Sequence, residues 1–364
     1  MKIYILHYYS YIMLSELQLL KLKILVSGIK ITPKAKEKLS QKGKFPLSLF
    51  QSPTTSGITI VLQSSIYVNA QFCGKYINSE IDLDYLNEKF FIVMGEKRYE
   101  VDVLPLPDYI NKTDSSNNLI IDMVTTYADR VRVAPIKGCS FNCNYCDLQL
   151  QPYKKYTLKN LLEALDISFQ DQNLSPCHLL ISGGTPRVED RDYIDNIYEK
   201  ITNFMRLKNI PVDIMLTPRP ENNFLEKLKS YGVYGLSINL ELFNEEYAKK
   251  YNPQKALISK KGYLDFIRKA VALFGKGRVR SLLIVGLESS KDTLKGVEEI
   301  AKLGCDVVLS PFVPSQKASL FNHPKPTVDE LIFIYSKAKE IVDKYGVVLG
   351  PRCPACQHNT LSFP

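Results

Sequence analysis

From Val131 onward, short apolar runs alternate with longer segments whose apolar residues recur every three or four positions. The runs Val131–Ile136, His178–Ser182, Val212–Thr217, Val233–Leu240, Val279–Gly286 and Asp306–Phe312 predict strands. Between them, Leu158–Phe169, Arg191–Leu207, Asn223–Ser230, Glu245–Tyr251 with Gly262–Leu273, and Thr293–Leu303 predict helices. A last helix, Val328–Tyr345, leads into Val347-Val348-Leu349-Gly350. Such alternation predicts βα units around a parallel sheet. With right-handed crossovers the loops after the strands gather at one face, where barrel enzymes keep their chemistry. The earlier part of the chain is patterned differently. Ile58–Leu62 and Phe90–Met94 are short β-prone runs, and Phe90 to Leu104 reads as a hairpin turning near Gly95-Glu96-Lys97. Leu104-Pro105-Leu106-Pro107 and the polar stretch 111–118 read as a linker. The expected organisation is a small β-rich appendage and linker over 1–128, a region of βα units over 129–345 and a tail over 346–364.

Candidate chemistry sits first in the loop after the first barrel strand. Cys139, Cys143 and Cys146 follow the breaker Gly138 within eight residues, as Cys-Ser-Phe-Asn-Cys-Asn-Tyr-Cys. A loop that short can turn three thiolates to one point, and such a point holds zinc or an iron–sulfur cluster. Structural zinc wants four protein ligands, whereas a four-iron cluster on three cysteines leaves one iron open. After the second strand comes Ser182-Gly183-Gly184-Thr185-Pro186. Paired glycines there either let backbone approach a ligand or simply make a tight turn. The fourth strand ends Ser237-Ile238-Asn239-Leu240-Glu241, and alternation sends its three polar residues to one side, as ligand contacts or as helix caps.

The cysteine loop resembles the signature of the radical S-adenosylmethionine superfamily, C-x3-C-x2-C with an aromatic before the last cysteine, here Tyr145. The resemblance implies a partial (βα)6 TIM-like barrel with the N-terminal β-rich appendage outside it. It implies a [4Fe-4S] cluster on Cys139, Cys143 and Cys146, whose open iron takes the amino and carboxylate groups of S-adenosylmethionine. Reductive cleavage then releases a 5′-deoxyadenosyl radical that abstracts hydrogen from a substrate. Gly183, Gly184, Thr185 and Pro186 fall where the family has a Gly-Gly-Glu-Pro element, with Thr185 in place of the glutamate. Asn239 and Glu241 become candidates for the ribose and methionyl carboxylate. Ile284 lies on a strand that loosely resembles the family's adenine contact, and Ser310–Pro314 forms a rim beside it. Arg187 and Arg219 are expected at the same face, Arg280 at the opposite one. The resemblance further implies an electron donor such as ferredoxin or flavodoxin, and a small-molecule or carrier-bound substrate.

The tail Gly350-Pro351-Arg352-Cys353-Pro354-Ala355-Cys356-Gln357-His358 adds a second thiol pair. A crossover from the last helix would bring it to the active face, with Cys73 and His358 as co-ligands and Cys177 and Cys305 at the far end. In the family some C-terminal segments carry an auxiliary cluster, so Cys353 and Cys356 are expected to hold one; a disulfide, zinc or free thiols are the alternatives. An auxiliary cluster would favour sulfur insertion, as in lipoyl or biotin synthesis.

Composition narrows this little. Hydrophobic content of 45% with 23% charged residues is ordinary for a globular chain. The apolar stretch from Ile3 to Leu14 is too short to span a membrane and lacks a cleavage site, and Met13 is an alternative start. A labile cluster makes the cytoplasm the simplest location. Net charge is +9, and residues 1–50 alone carry nine lysines against Glu16 and Glu37. That segment reads as a solvated lysine-rich face or a docking surface for an acidic partner. Aromatics do not interleave with these lysines as in single-strand binders, which disfavours nucleic acid and the rival reading of a non-catalytic metal-bound nucleic-acid module.

Overall fold

Two sheets share one hydrophobic core in the computed structural model, which describes residues 14–41, 57–72, 79–315 and 317–364. Cys73 and residues 3–13 of the apolar N-terminal stretch lie outside these residues. The N-terminal sheet has six strands: β1 (Lys30–Ile31), β2 (Ile58–Leu62), β3 (Ile66–Ala70), β4 (Ile81–Leu86), β5 (Lys89–Met94) and β6 (Lys97–Val103). Their order is β1-β4-β5-β6-β2-β3, and all pairs except β1–β4 are antiparallel. The β5–β6 hairpin turns where Gly95 takes a left-handed φ of 59°. Strict alternation along β4 buries Ile81, Leu83 and Tyr85.

Two helices precede this sheet's hairpins, α1 (Glu16–Ser27) and α2 (Pro33–Gln41). Ser15 and Gln18 form a reciprocal capping box that starts α1. The lysine-rich reading of this region holds only in part, because α1 buries Leu20, Leu22, Ile24, Leu25 and, among them, Lys21. The helix packs between β3 and the last helix of the chain.

The second sheet has seven strands and carries the site. After the short α3 (Ile120–Met123) come β7 (Val124–Tyr127) and β8 (Arg130–Val133), an antiparallel pair. Then follow the small antiparallel pair β9 (Ile136–Lys137) and β10 (Lys154–Lys155), α4 (Leu158–Phe169), β11 (His178–Ile181), α5 (Arg191–Leu207), β12 (Val212–Leu216), α6 (Phe224–Tyr231) and β13 (Gly235–Ile238). Three helices, α7 (Glu245–Tyr251), α8 (Pro253–Ala256) and α9 (Lys260–Phe274), lead to β14 (Val279–Val285), α10 (Ser290–Lys302), β15 (Asp306–Pro311) and α11 (Val328–Tyr345). The order β15-β14-β13-β12-β11-β8-β7 places six consecutive parallel strands beside one antiparallel edge. These are the βα units that the alternation predicts, curled into the (βα)6 half-barrel that the resemblance implies. β7 is an addition that the linker reading missed.

Burial alternates along β8 and β14. Val131 and Val133 of β8 face the core, while Arg130 and Arg132 face the barrel lumen. β14 repeats the pattern, with Arg280, Leu282 and Ile284 lining the lumen.

After α11, Leu349 bridges Val307 of β15 in parallel, but only Val347, Val348 and Leu349 lie between the helix cap Gly346 and Gly350, where the chain turns away at a φ of 112°. The chain crosses the N-terminal ends of the strands and climbs again, where Leu361 N–H donates to Leu309 O at 2.8 Å. On its other side Asn69 N–H of β3 donates to His358 O at 2.7 Å, and the His358 ring stacks on Tyr127 with centroids 5.6 Å apart. The tail thus fills the seam between the two edge strands. Among the described residues no helix is long and apolar enough to cross a membrane.

Candidate active site

The cysteine loop is held on a short stem. The β9–β10 pair closes it, and Gly138, at φ 77°, is where the backbone reverses; a Cβ there would lie 2.8 Å from Gln151 O. Cys146 N–H donates to Cys143 O at 3.0 Å, and the Gln149 amide donates to both Cys143 O and Cys146 O. Asn144 N–H reaches Tyr251 O on α7, and Asn144 O accepts from Leu320 N–H beyond β15. The loop is therefore tied on both flanks before any ligand arrives.

Gly183–Pro186 clasps this loop from the end of β11. Ser140 N–H donates to Thr185 O at 3.0 Å, and Ser140 Oγ donates to Pro186 O at 3.0 Å. A Cβ on Gly184 would fall 1.8 Å from Gly138 O and 2.7 Å from Cys139 Cα, so only glycine permits this approach. Thr185 and Phe141 N–H both donate to Cys139 Sγ, at 3.1 and 3.3 Å. Backbone donors on a sulfur suit a cluster ligand, whose potential such bonds tune. Burial pushes the Cys143 thiol up to about 12, helped by the nearby Glu241 carboxylate, and the Cys146 thiol up to about 11. Thiols held that high are poor nucleophiles at neutral pH and become thiolates only against a metal charge. The donor set fits a metal cluster.

Tyr145 and Glu241 come together here. Tyr145 is buried, its hydroxyl donates to the Glu241 carboxylate, and it accepts from Asn252 Nδ2 at 3.2 Å. Glu241 also pairs with Lys255 Nζ at 2.6 Å. Burial alone would lower the Lys255 pKa, but the Glu241 charge wins and holds it above the ordinary value. Burial first, then Glu241, raise Tyr145 well above a normal phenol. Glu241 itself sits at φ 68°, a conformation that costs a non-glycine residue and is tolerated where surroundings enforce it. Its backbone is fixed by Glu241 N–H to Leu282 O and by Ile284 N–H to Glu241 O.

One cavity of about 380 Å³ joins these parts. Cys139, Cys143, Cys146, Gly183, Gly184, Thr185 and Pro186 line its upper end, together with Tyr145, Asn239, Glu241 and Ile284. Asn239 accepts from Ser237 Oγ at 2.9 Å, and Phe312 and Val313 supply the apolar rim. Every sequence-predicted contact at this mouth thus faces one space. The arginines are engaged by neighbouring groups, though Arg219 and Arg280 also line the cavity. Arg219 is consumed by Asp195 and Glu221 and stacks on Phe224 at 4.0 Å, and Arg187 lies over the Tyr153 ring at 4.3 Å. Arg280 is at the opposite end as expected, paired with Asp213 at 2.6 Å.

Sequence reasoning missed Lys255, Arg130 and Arg132. Lys255 follows no motif. The arginines had a signal, since Arg-Val-Arg-Val alternation sends both to one side of β8. Arg132 lines the lumen, where burial pulls its pKa down. Its Nε has no hydrogen-bond partner, and it makes no ion pair among the described residues. The tail corrects an expectation outright. Cys353 and Cys356 lie at the N-terminal ends of the strands, beside Asp129 and His178, because Gly350-Pro351 ends the last strand after its first rung. Among the described residues the cysteines are free.

The profile of the Radical SAM superfamily matches residues 133–317. The chain is 27% identical over 176 residues to bacteriochlorophyllide c C-7(1)-hydroxylase of Chlorobaculum limnaeum, covering 46% of this chain and 44% of that protein. It is 26% identical over 190 residues to GTP 3′,8-cyclase of Aliarcobacter butzleri, covering 50% and 54%. The chain thus matches about half the length of these curated relatives. Among solved structures, a radical SAM methyltransferase from Sphaerobacter thermophilus is similar at TM-score 0.48 and 16% identity, covering 75% of this chain and 76% of that one.

Proposed function

Because the chain belongs to the radical SAM superfamily of enzymes, we propose that it cleaves S-adenosylmethionine at the upper mouth of the barrel and abstracts hydrogen from an anionic substrate held in the lumen below. The observation that carries this is the convergence of Cys139, Cys143, Cys146, the Gly183–Pro186 clasp, Asn239 and Glu241 on one cavity. A four-iron cluster held by the three cysteines would supply the one electron that cleaves S-adenosylmethionine into methionine and a 5′-deoxyadenosyl radical. The chain's own residues do the positioning. Backbone at Gly183 and Gly184, packed tightly on the cysteine loop, borders the cavity where the methionyl end would lie, and Asn239 with Ser237 offers polar atoms to the ribose. Glu241, oriented by Tyr145 and Lys255, presents a carboxylate in the same wall. Ile284 and Phe312 give the adenine an apolar surface and exclude water.

Arg132 supports the substrate class. A guanidinium in a lumen wall with no carboxylate of its own is costly unless a ligand supplies the anion. A carboxylate or phosphate on a small or carrier-bound substrate meets that need. Delivery of electrons calls for a one-electron donor such as ferredoxin or flavodoxin, and the cluster's lability favours the cytoplasm. Anaerobic reconstitution tests the reading. The wild type should hold about four irons on its three cysteines and, once reduced, form 5′-deoxyadenosine and methionine. Replacing Cys139, Cys143 and Cys146 by alanine should remove both properties, and wild-type cleavage in that variant would overturn the proposal. Arg132→Met should keep the iron while losing binding of inorganic phosphate, followed by phosphorus line broadening. Equal phosphate binding by both proteins would remove the anionic substrate from the reading.

A further inference from the structure

The four residues at the lower mouth have a geometry of their own. Oδ of Asp129, an imidazole nitrogen of His178 and the sulfurs of Cys353 and Cys356 all lie within 4.8 Å of one another. Individual approaches are closer: Cys353 Sγ is 3.2 and 3.3 Å from the Asp129 carboxylate oxygens, and Cys356 Sγ is 3.3 Å from His178 Nε2. Ligands of one tetrahedral ion, at bonds of about 2.0–2.3 Å, stand about 3.3–3.8 Å apart. A four-iron cubane would instead need its thiolates spread around a far larger body.

Two elements build the set. Parallel pairing of β8 with β11 puts His178 opposite Arg130, and Cys177 N–H donates to Asp129 O at 2.8 Å. Asp129 and His178 are therefore fixed by the sheet itself. Cys353 and Cys356 are fixed by one turn, in which Cys356 N–H donates to Cys353 O at 3.1 Å and Gln357 Nε2 donates to Pro351 O at 2.9 Å. Arg352, bound to both oxygens of Asp306, anchors the entry to that turn.

We propose that Asp129, His178, Cys353 and Cys356 form a mononuclear zinc site that staples the C-terminal tail across the lower mouth of the barrel. Two thiolates, one imidazole and one carboxylate are a zinc donor set, with four protein ligands closing the coordination as structural sites require. Zn²⁺ with three anionic ligands leaves one net negative charge. Arg130, whose guanidinium interacts electrostatically with Cys356, Cys353 and Asp129, balances it. This assigns the pair a single ion in place of the auxiliary cluster that the tail's resemblance implied. The site is independent of the upper cysteines, so it stands or falls apart from the radical chemistry.

Metal analysis of full-length protein equilibrated with Zn²⁺ under anaerobic conditions tests it. About one zinc per chain is expected, with two sulfurs at about 2.3 Å and two nitrogen or oxygen neighbours at about 2.0 Å in zinc-edge X-ray absorption. The Cys139→Ala/Cys143→Ala/Cys146→Ala variant should keep this zinc. Cys353→Ser/Cys356→Ser should lose it, and His178→Gln should release it faster to a chelator. The His178 variant serves if the double variant fails to fold. Zinc-free wild type, zinc retained by Cys353→Ser/Cys356→Ser, or unchanged release from His178→Gln would overturn the site. So would Mössbauer spectra showing a second iron cluster that vanishes with Cys353 and Cys356.

Discussion

The two mouths of the barrel each gather thiols, but by different routes. At the upper mouth three cysteines lie within one loop, and the rest of the molecule only presses on it. At the lower mouth two thiols from a tail meet an aspartate and a histidine that parallel strand pairing has set side by side. The first arrangement is local and open toward a cavity. The second is long-range and closes the fold. That difference separates a site built to hold a reactive cofactor from one built to hold the chain.

The largest expected effect breaks the upper mouth alone. Gly184→Val would drive a branched side chain into Gly138 O and Cys139 Cα. The sequence left open a ligand approach or a tight turn at these glycines; the close contact is with the cysteine loop itself. Iron content should therefore fall severalfold after reconstitution, while zinc at the lower mouth persists. Iron counting and zinc analysis on one sample check both halves. Normal iron with weakened S-adenosylmethionine binding would restore the simpler sequence reading.

A smaller effect is expected from Glu241→Gln. The substitution keeps shape and the Tyr145 contact but leaves Lys255 without its anion in a mostly enclosed site. Removing one partner of such a pair costs about 3 kcal/mol, which should appear as a lowered urea midpoint. Adding Lys255→Met should recover part of the loss. A single variant as stable as wild type would mean that the pair is solvated and only Tyr145 orients Glu241.

Legibility followed the same divide. The upper mouth could be read because its motifs are contiguous, and strand alternation in Ser237–Glu241 pointed the right side chains inward. Most barrel elements were also legible, since their apolar period survives in each segment separately; α4, α5, α7 and α11 fall where the pattern put them. β7 was hidden because Thr125 and Thr126 are buried polar residues in a segment with no apolar alternation. Asp129 and His178 carry no signal of pairing, as their meeting depends on register between strands nearly fifty positions apart. The tail was misplaced because a right-handed crossover fixes the direction of return and not the number of rungs that follow. Lys21 was the subtlest loss: among the described lysines of residues 1–50, nothing in the sequence marks the one whose neighbours bury it.

Lys21 supplies the finest test of how the lower mouth is held. Its Nζ donates to Gln357 O at 2.7 Å and Ser362 O at 2.8 Å, and lies 5.3 Å from the Phe363 ring centroid. Burial lowers its pKa from 10.5 to about 7. A neutral amine still offers two N–H groups, enough for both carbonyls. Above pH 7 the folded chain has shed a proton that the unfolded chain keeps, so unfolding takes one up and stability rises with pH. Cysteines and tyrosines add their own slopes at higher pH, so the comparison belongs between pH 7 and 8.5, against a variant without the amine. Lys21→Met orphans both carbonyls, at a cost of about 1–3 kcal/mol each, but also relieves the buried charge. Its deficit against wild type should therefore be smallest at pH 7 and grow by roughly 1.5 kcal/mol by pH 8.5. Urea unfolding of both proteins at the two pH values measures this. A deficit that does not change with pH would show that the ammonium stays charged in the fold, held by the two carbonyls and the Phe363 ring.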